Sequence, residues 1–395
     1  MSCYRFQDIF LQKRLVRYMK FLFACGGTGG HINPALAVAR TVKEKRPNAE
    51  ILFVGVEGGM ETRLVPAAGF EIKTIKSDAI SRRGGLHGLM ANISAIKKII
   101  GAENTAKRII KEFSPDIVMG TGGYACYPVL SAAARLGIPS VIHEANAYPG
   151  LATRALSKRV SKVLLNFGVS RERLPKGALC EVVGNPIRGD ILMYDRETAR
   201  RELGVEKSLL VSFWGSLGAR EMNKKIAELI KLETENPGEF HHIHATGKYG
   251  YEWMPRYIAD MGVELRENSF ITLREYIDDM PRVLAAADVV MCRGGAGTLS
   301  EISARGTPAI IVPSPNVTDN HQFKNASELK KIGGAVVIEE KDTTAQLLYD
   351  EAKRLLCDEA ARKQMSERLI ESAVLDASER IYDEMMHLIR EKAQS

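Results

Sequence analysis

The chain has 395 residues, enough for two domains of ordinary size, and its 45% hydrophobic and 26% charged content excludes a disordered or fibrous class. Its net charge of +7 hides an asymmetry: residues 1–180 hold 27 Lys and Arg against 12 Asp and Glu, and the remainder 28 against 36. Six cysteines without a CxxC pair argue against a disulfide framework or a zinc site, and no apolar run approaches the roughly 18–20 residues of a spanning helix.

Residues 1–18 lack the apolar core of a signal peptide and carry Lys13, Arg14 and Arg17. They read as an extension ahead of Met19, either a start placed too early or a basic amphipathic anchor. Beyond them, short apolar runs at 21–24, 51–54, 117–119, 140–143 and 163–165 read as buried strands. Amphipathic patterns at 34–46, 92–112 and 128–136 lie between them, punctuated by Pro115, Gly137 and Pro139. The stretch 80–100 sets Leu86, Leu89, Met90, Ile93 and Ile96 at helical spacing among Arg82, Arg83, Lys97 and Lys98. It reads either as a helix facing the core or as a face that docks on an anionic leaflet.

The first series ends near Val183-Gly184-Asn185-Pro186-Ile187-Arg188. A second follows, with strands at 209–213, 242–245, 289–292, 309–312 and 335–338, and a final amphipathic helix at about 377–393. Alternation of this kind predicts an α/β fold of two doubly wound, Rossmann-like domains facing a central cleft, with ligands at the carboxyl ends of the strands. The expected boundaries are 1–187, 188–375 and a C-terminal helix at 376–395 that packs across either half, the first domain among the two.

Four glycine-rich loops follow strands in this pattern. They are Cys25-Gly26-Gly27-Thr28-Gly29-Gly30-His31, Gly120-Thr121-Gly122-Gly123-Tyr124, Gly215-Ser216-Leu217-Gly218-Ala219-Arg220 and Arg293-Gly294-Gly295-Ala296-Gly297-Thr298-Leu299-Ser300-Glu301. Glycine lets backbone N–H groups approach an anion, and a helix N-terminus favours negative charge. Four such loops, two per half, exceed what tight turns alone require. The first lacks the last glycine of GxGxxG, which weakens a nicotinamide-dinucleotide reading, and GxxxxGK[ST] does not occur. Aromatic residues are only 7%, and without a stacking platform or basic groove motif a nucleic-acid-binding module is not expected.

Together with Pro34-Ala35-Leu36-Ala37, His143-Glu144-Ala145-Asn146, Pro149-Gly150, Gly184-Asn185-Pro186-Ile187-Arg188 and Ile277-Asp278-Asp279-Met280, these loops identify a resemblance. From about residue 20 to about 390 the chain resembles the MurG family of GT-B glycosyltransferases. The resemblance implies inverting transfer of N-acetylglucosamine (GlcNAc) from UDP-GlcNAc to the C4 hydroxyl of the muramoyl sugar of lipid I, giving lipid II. It also implies a peripheral location on the cytoplasmic face of the cell membrane, with no cofactor.

By the same resemblance, Ser216 faces the diphosphate with Arg188 nearby, and the main chain of Ile277 reads the uracil edge. Ala296, Gly297, Thr298, Leu299 and Ser300 line the nucleotide, and Glu301 takes the ribose hydroxyls. Gln322, with Asn325 behind it, holds the donor sugar. Thr28, Gly29, Gly30 and Asn146 complete the site from the first half.

A leaving UDP gains negative charge, which backbone donors stabilise without reorganising. The acceptor hydroxyl needs a general base; His31 is the natural candidate and Glu144 the other. No metal is expected. Asp278-Asp279 is not a DxD pair after a strand and reads as a helix cap, and strand alternation splits His241, His242 and His244.

Three departures stand out. Trp214 holds the place of the first glycine in loop three, Ala145 the usual place of glutamine, and the stretch 314–321 looks slightly longer than in some relatives, which loosens the carry-over to Gln322.

Overall fold

In the computed structural model, residues 18–77, 86–237 and 239–394 are described, with the backbone alone for 86–99. The N-terminal extension and the cationic stretch from Arg82 to Lys98, Leu86 to Ile96 included, fall outside the described residues or their described side chains. The chain divides into two compact units, one of Pro149–Pro186, Asp376–Ser395 and the chain up to Ala145, the other of Asn146–Tyr148 and Ile187–Leu375.

The first unit runs β1 (Lys20–Ala24), α1 (Gly29–Lys45), β2 (Glu50–Val56), α2 (Glu61–Ala67), β3 (Glu71–Ile75), α3 (Leu86–Phe113), β4 (Ile117–Gly120), α4 (Cys126–Arg135), β5 (Ser140–Glu144), α5 (Leu151–Leu156), β6 (Lys162–Leu165) and β7 (Cys180–Val182). Its sheet has the order β3-β2-β1-β4-β5-β6-β7, and every pairing is parallel. The inner strands are almost wholly buried, because helices cover both faces of a parallel sheet. Phe23 and Phe53 stack at 5.1 Å between ring centroids on one face.

The second unit runs α6 (Arg196–Leu203), β8 (Leu209–Phe213), α7 (Arg220–Glu235), β9 (His241–Ala245), α8 (Lys248–Tyr251), α9 (Met254–Asp260), β10 (Ile271–Arg274), α10 (Met280–Ala286), β11 (Val289–Cys292), α11 (Ala296–Arg305), β12 (Ala309–Ile311), α12 (His321–Lys331), β13 (Ala335–Val337), α13 (Ala345–Cys357) and α14 (Glu359–Ser372). Its parallel sheet has the order β10-β9-β8-β11-β12-β13. The last helix, α15 (Ala377–Gln394), belongs to the first unit. Ile381 and Met385 of α15 share an apolar cluster with Val38 and Val42 of α1, and Arg46 Nε donates to Tyr382 Oη at 2.9 Å.

Strand order reverses between β1 and β4 in the first sheet and between β8 and β11 in the second. Crevices at such reversals, outside the carboxyl ends of the strands, are where ligands of doubly wound sheets bind. The four glycine loops follow β1, β4, β8 and β11, so each reversal carries two of them.

Candidate active site

Loop one turns into α1 earlier than the sequence pattern suggests. Gly29 and Gly30 are poor helix formers, so a start near Pro34 is the natural expectation. Instead Thr28 is the N-cap residue, and its carbonyl accepts from His31 N at 3.0 Å and Ile32 N at 3.1 Å. Thr28, Gly29 and Gly30 therefore form the helix entry, and His31 sits in the first turn.

The half-buried imidazole of His31 places Nδ1 3.1 Å from Gly26 O. A carbonyl only accepts, so Nδ1 carries the proton in this contact and Nε2 is the basic nitrogen. Loop two closes over this arrangement. Thr121 Oγ1 donates to His31 O at 2.6 Å, and a Cβ at Gly123 (φ +83°) would lie 2.1 Å from Gly26 O. Only glycine lets the two loops approach this closely.

Glu144, at the end of β5, is buried. Its Oε2 accepts from Gly150 N at 2.8 Å and Thr153 Oγ1 at 2.7 Å, which joins the strand end to the start of α5. Beside it, His143 is fully buried with Nε2 2.9 Å from Gly184 O, and burial lowers its pKa.

In the second unit, Ser216 is exposed at the tip of loop three. The loop rests on a segment that the glycine-loop pattern did not single out, Thr246-Gly247-Lys248-Tyr249. Lys248 N donates to Ser216 O at 3.2 Å and Tyr249 N to Leu217 O at 3.4 Å. A Cβ at Gly218 (φ +77°) would lie 2.1 Å from Thr246 O, which Asn223 Nδ2 bonds at 2.7 Å. The usable signal was a fifth glycine directly after a strand, Gly247 behind β9. Trp214, in the place of a glycine, is buried in the core with the Arg293 guanidinium 5.5 Å from its ring centroid.

Loop four leads into α11 with Gly295 as N-cap. Ala296 and Leu299 are buried, while Gly297 and Thr298 are half-buried in the first turn. Ser300 Oγ donates back to Ala296 O at 2.9 Å. Glu301 Oε1 accepts from Arg188 Nε at 3.0 Å. Burial pushes the Glu301 carboxyl up, while Arg188 pulls it back down. Ile277 is buried.

Gln322 Oε1 accepts from Ser314 N at 2.9 Å, and a Cβ at Gly294 would meet Gln322 O at 2.3 Å. Asn325, expected behind Gln322, is held by protein groups. It is fully buried, and its Oδ1 accepts from Ala147 N at 2.8 Å. Its Nδ2 donates to Asn146 Oδ1 and Gly294 O, both at 3.1 Å. Both its donors and its acceptor oxygen are thus engaged by protein. Lys324 lies 3.4 Å from the Tyr148 ring centroid, so α12 carries the whole 146–148 segment.

Asp279 is the N-cap residue of α10 but makes no capping bond, contrary to the cap expected there. Arg274 Nη1 and Arg282 Nε each bond its carboxylate at 2.9 Å, and those charge-assisted bonds outcompete a backbone N–H. His242 and His244 share a face, and both contact Ser212 Oγ, at 2.7 and 2.6 Å. Among the described residues no group of three or more His, Cys, Asp or Glu is arranged to hold a metal ion. Cys126 and Cys292 lie near loops two and four, but burial pushes both thiols up to about 12, far from a reactive thiolate.

The glycosyltransferase family 28 N-terminal domain matches residues 21–165, and the family 28 C-terminal domain matches residues 209–381. The chain belongs to glycosyltransferase family 28. A relative from Acetivibrio thermocellus, named UDP-N-acetylglucosamine--N-acetylmuramyl-(pentapeptide) pyrophosphoryl-undecaprenol N-acetylglucosamine transferase, is 42% identical over 377 residues. The match spans 95% of this chain and 100% of that protein. One of the same name from Ruminiclostridium cellulolyticum is 40% identical over 94% of this chain and 100% of its own length. The crystal structure of Acinetobacter baumannii MurG is similar with a TM-score of 0.71 at 27% identity, covering 93% of this chain and 99% of that one. The two doubly wound parallel-sheet units expected from the alternating pattern are those of the GT-B class, as the resemblance implied.

Proposed function

We propose that the chain is the transferase that moves GlcNAc from UDP-GlcNAc to the C4 hydroxyl of the muramoyl sugar of lipid I, with inversion, giving lipid II. The observation that carries this reading is the full-length likeness, at 42% identity, to a relative that bears the transferase's name. The geometry supports it, since paired glycine loops stand at the reversal of each sheet.

In this reading loop three, with Ser216, and Arg188 receive the diphosphate. The start of α11, from Ala296 to Ser300, lines the nucleotide, and the main chain of Ile277 meets the uracil. One oxygen of Glu301 holds Arg188 while the other accepts from ribose, a division its several lone pairs allow. Gln322 holds the donor sugar. Asn325 sets Asn146 and loop four from behind, and Thr28, Gly29 and Gly30 shape the helix entry beside His31. His31 is the general base through Nε2. Glu144 is a positioning group for the β5–α5 turn, because its carboxylate oxygen is committed there.

The enzyme works at the cytoplasmic face of an anionic membrane. The excess of 27 cations over 12 anions in residues 1–180 supports this, and no helix among the described residues is long and apolar enough to span one. Binding to vesicles that contain anionic lipid should fall with salt; absent or salt-insensitive binding refutes the membrane reading.

The decisive assay is transfer of labelled GlcNAc from UDP-GlcNAc to lipid I, with the anomeric configuration of the product determined. Label on lipid I with inverted configuration is expected. Label on a diacylglycerol instead would make the chain another lipid-directed GT-B transferase.

A further inference from the structure

The peptide group between Gly26 and Gly27 is held from both sides. Glu61, the first residue of α2, has a fully buried side chain. Its Oε2 accepts from Gly27 N at 3.1 Å and its Oε1 from Val56 N at 2.8 Å. Three glycines make room for it. A Cβ at Gly26 would lie 2.3 Å from Oε1, one at Gly55 2.4 Å from Cγ and one at Gly59 2.5 Å from the carboxyl carbon. Burying a carboxylate is costly unless it is well bonded, so a pocket walled by three glycines needs a reason. The other end of the same peptide supplies one: Gly26 O is the atom that His31 Nδ1 approaches at 3.1 Å.

We propose that Glu61 is a positioning residue of the transfer reaction: through the single Gly26–Gly27 peptide it holds His31 with Nδ1 protonated and Nε2 as the proton acceptor. A carboxylate on the N–H end of an amide polarises it and makes the carbonyl oxygen a stronger acceptor, as bonds in a chain reinforce one another. The stronger carbonyl fixes the ring and stabilises the imidazolium that forms when the acceptor hydroxyl gives up its proton. A carboxylate that bonds a catalytic histidine directly does the same two jobs; here one peptide stands between.

The groups around the pair fit. A Cβ at Gly122 would come within 2.9 Å of His31 Nε2, so only glycine fits against that edge. Cys25, beside Glu61, is held as a thiol by burial and by the Glu61 charge. Burial, and after it the His31 charge, lower the pKa of His143, and Glu144 lies next to it.

This inference rests on the reading of His31 as base, and its test separates the two. The cycle Glu61→Gln, His31→Ala and the double variant is measured in the lipid I assay. Glu61→Gln should lower kcat by about 10–100-fold, the usual effect of an outer partner, and leave the KM for UDP-GlcNAc within about twofold. The acidic limb of its kcat/KM profile should move to lower pH. In the His31→Ala background the same change should cost nothing more. An equal loss in both backgrounds, or an unmoved limb, overturns the proposal.

Should Glu61→Gln not fold, ¹⁵N NMR of His31 in the unaltered protein decides. The Nδ1–H tautomer is expected, and a dominant Nε2–H tautomer overturns the proposal. If His31→Ala keeps its kcat, the reading of the base fails instead, and the tautomer still reports on Glu61.

Discussion

Replacing Asn325 by alanine should both loosen the second unit and weaken the donor site. The amide makes three hydrogen bonds, at 2.8, 3.1 and 3.1 Å, with no exposure to solvent. A neutral hydrogen bond contributes about 1 kcal/mol net, and a stranded buried group costs about 1–3 kcal/mol. Truncation takes partners from Ala147 N, Asn146 Oδ1 and Gly294 O, so the expected cost is about 3–5 kcal/mol. That is a large share of the roughly 5–15 kcal/mol that holds a native protein together.

Urea unfolding measures this as a drop in midpoint at unchanged slope. Asn325→Asp is the matched control. It keeps the acceptor for Ala147 N but sets an oxygen against Gly294 O and Asn146 Oδ1, so it too should be destabilised at neutral pH. Calorimetry then tells positioning from contact. If Asn325 acts by holding loop four and Asn146, affinity for UDP falls along with affinity for UDP-GlcNAc. Intact stability, with weakened UDP-GlcNAc binding and unchanged UDP binding, would refute the argument and return Asn325 to the sugar.

His31→Ala should lower kcat by about 10²–10⁴-fold with UDP-GlcNAc affinity unchanged by calorimetry, and a kcat within a few-fold of normal sinks the base assignment. Gly218→Ala should destabilise more than Gly215→Ala. Both have positive φ, which costs a side chain about 1–2 kcal/mol, but only Gly218 would drive its Cβ into Thr246 O, while nothing lies within 4 Å at Gly215. Equal unfolding midpoints would show that the 246–249 segment yields freely. Acid sensitivity should come from His244, whose pKa burial lowers well below the ordinary 6.5. The unfolded chain takes up a proton there below about pH 6.5 while the folded chain does not, so this stability is full above that pH and lost as pH falls. His244→Gln should flatten the dependence of the urea midpoint between about pH 7.5 and 5.5, and an equally steep profile would refute it.

The interior of both sheets was legible in the sequence because burial on two faces forces continuous apolar runs. The strands at 209–213 and 289–292 fall where the run places them. Three strands went unread: β3, β7 and β10, and each is the edge of its sheet. Glu71–Ile75 has a single buried residue and Cys180–Val182 none, so the signal used for the others was absent. The glycine loops were legible because their chemistry is local. The roles of Glu61 and Asn325 were not, because Glu61 acts on Gly27 across 34 residues and Asn325 on Ala147 across 178. No periodicity spans such a gap. Glu61 left one indirect trace, glycines at 26, 55 and 59, which make sense only once a buried side chain is placed among them.

That carboxylate also separates loops of similar appearance. A glycine loop before a helix offers an anion free N–H groups and a favourable dipole. Loop one has the glycines and the helix, yet Gly27 N is spent on Glu61, whose charge sits directly beneath the turn and is met by backbone dipoles. A phosphate there would face a like charge in a region of low dielectric, where repulsion is strongest. Loop four is backed by the Arg293 guanidinium, which pairs with Glu340 at 2.6 Å, and Glu301 at its far end is bonded by Arg188. On the reading proposed above, the same backbone motif serves an anion in the second unit and a proton-accepting histidine in the first. On that reading the basic excess of residues 1–180 is left for the proposed anionic membrane surface, which needs no phosphate cradle to attract it.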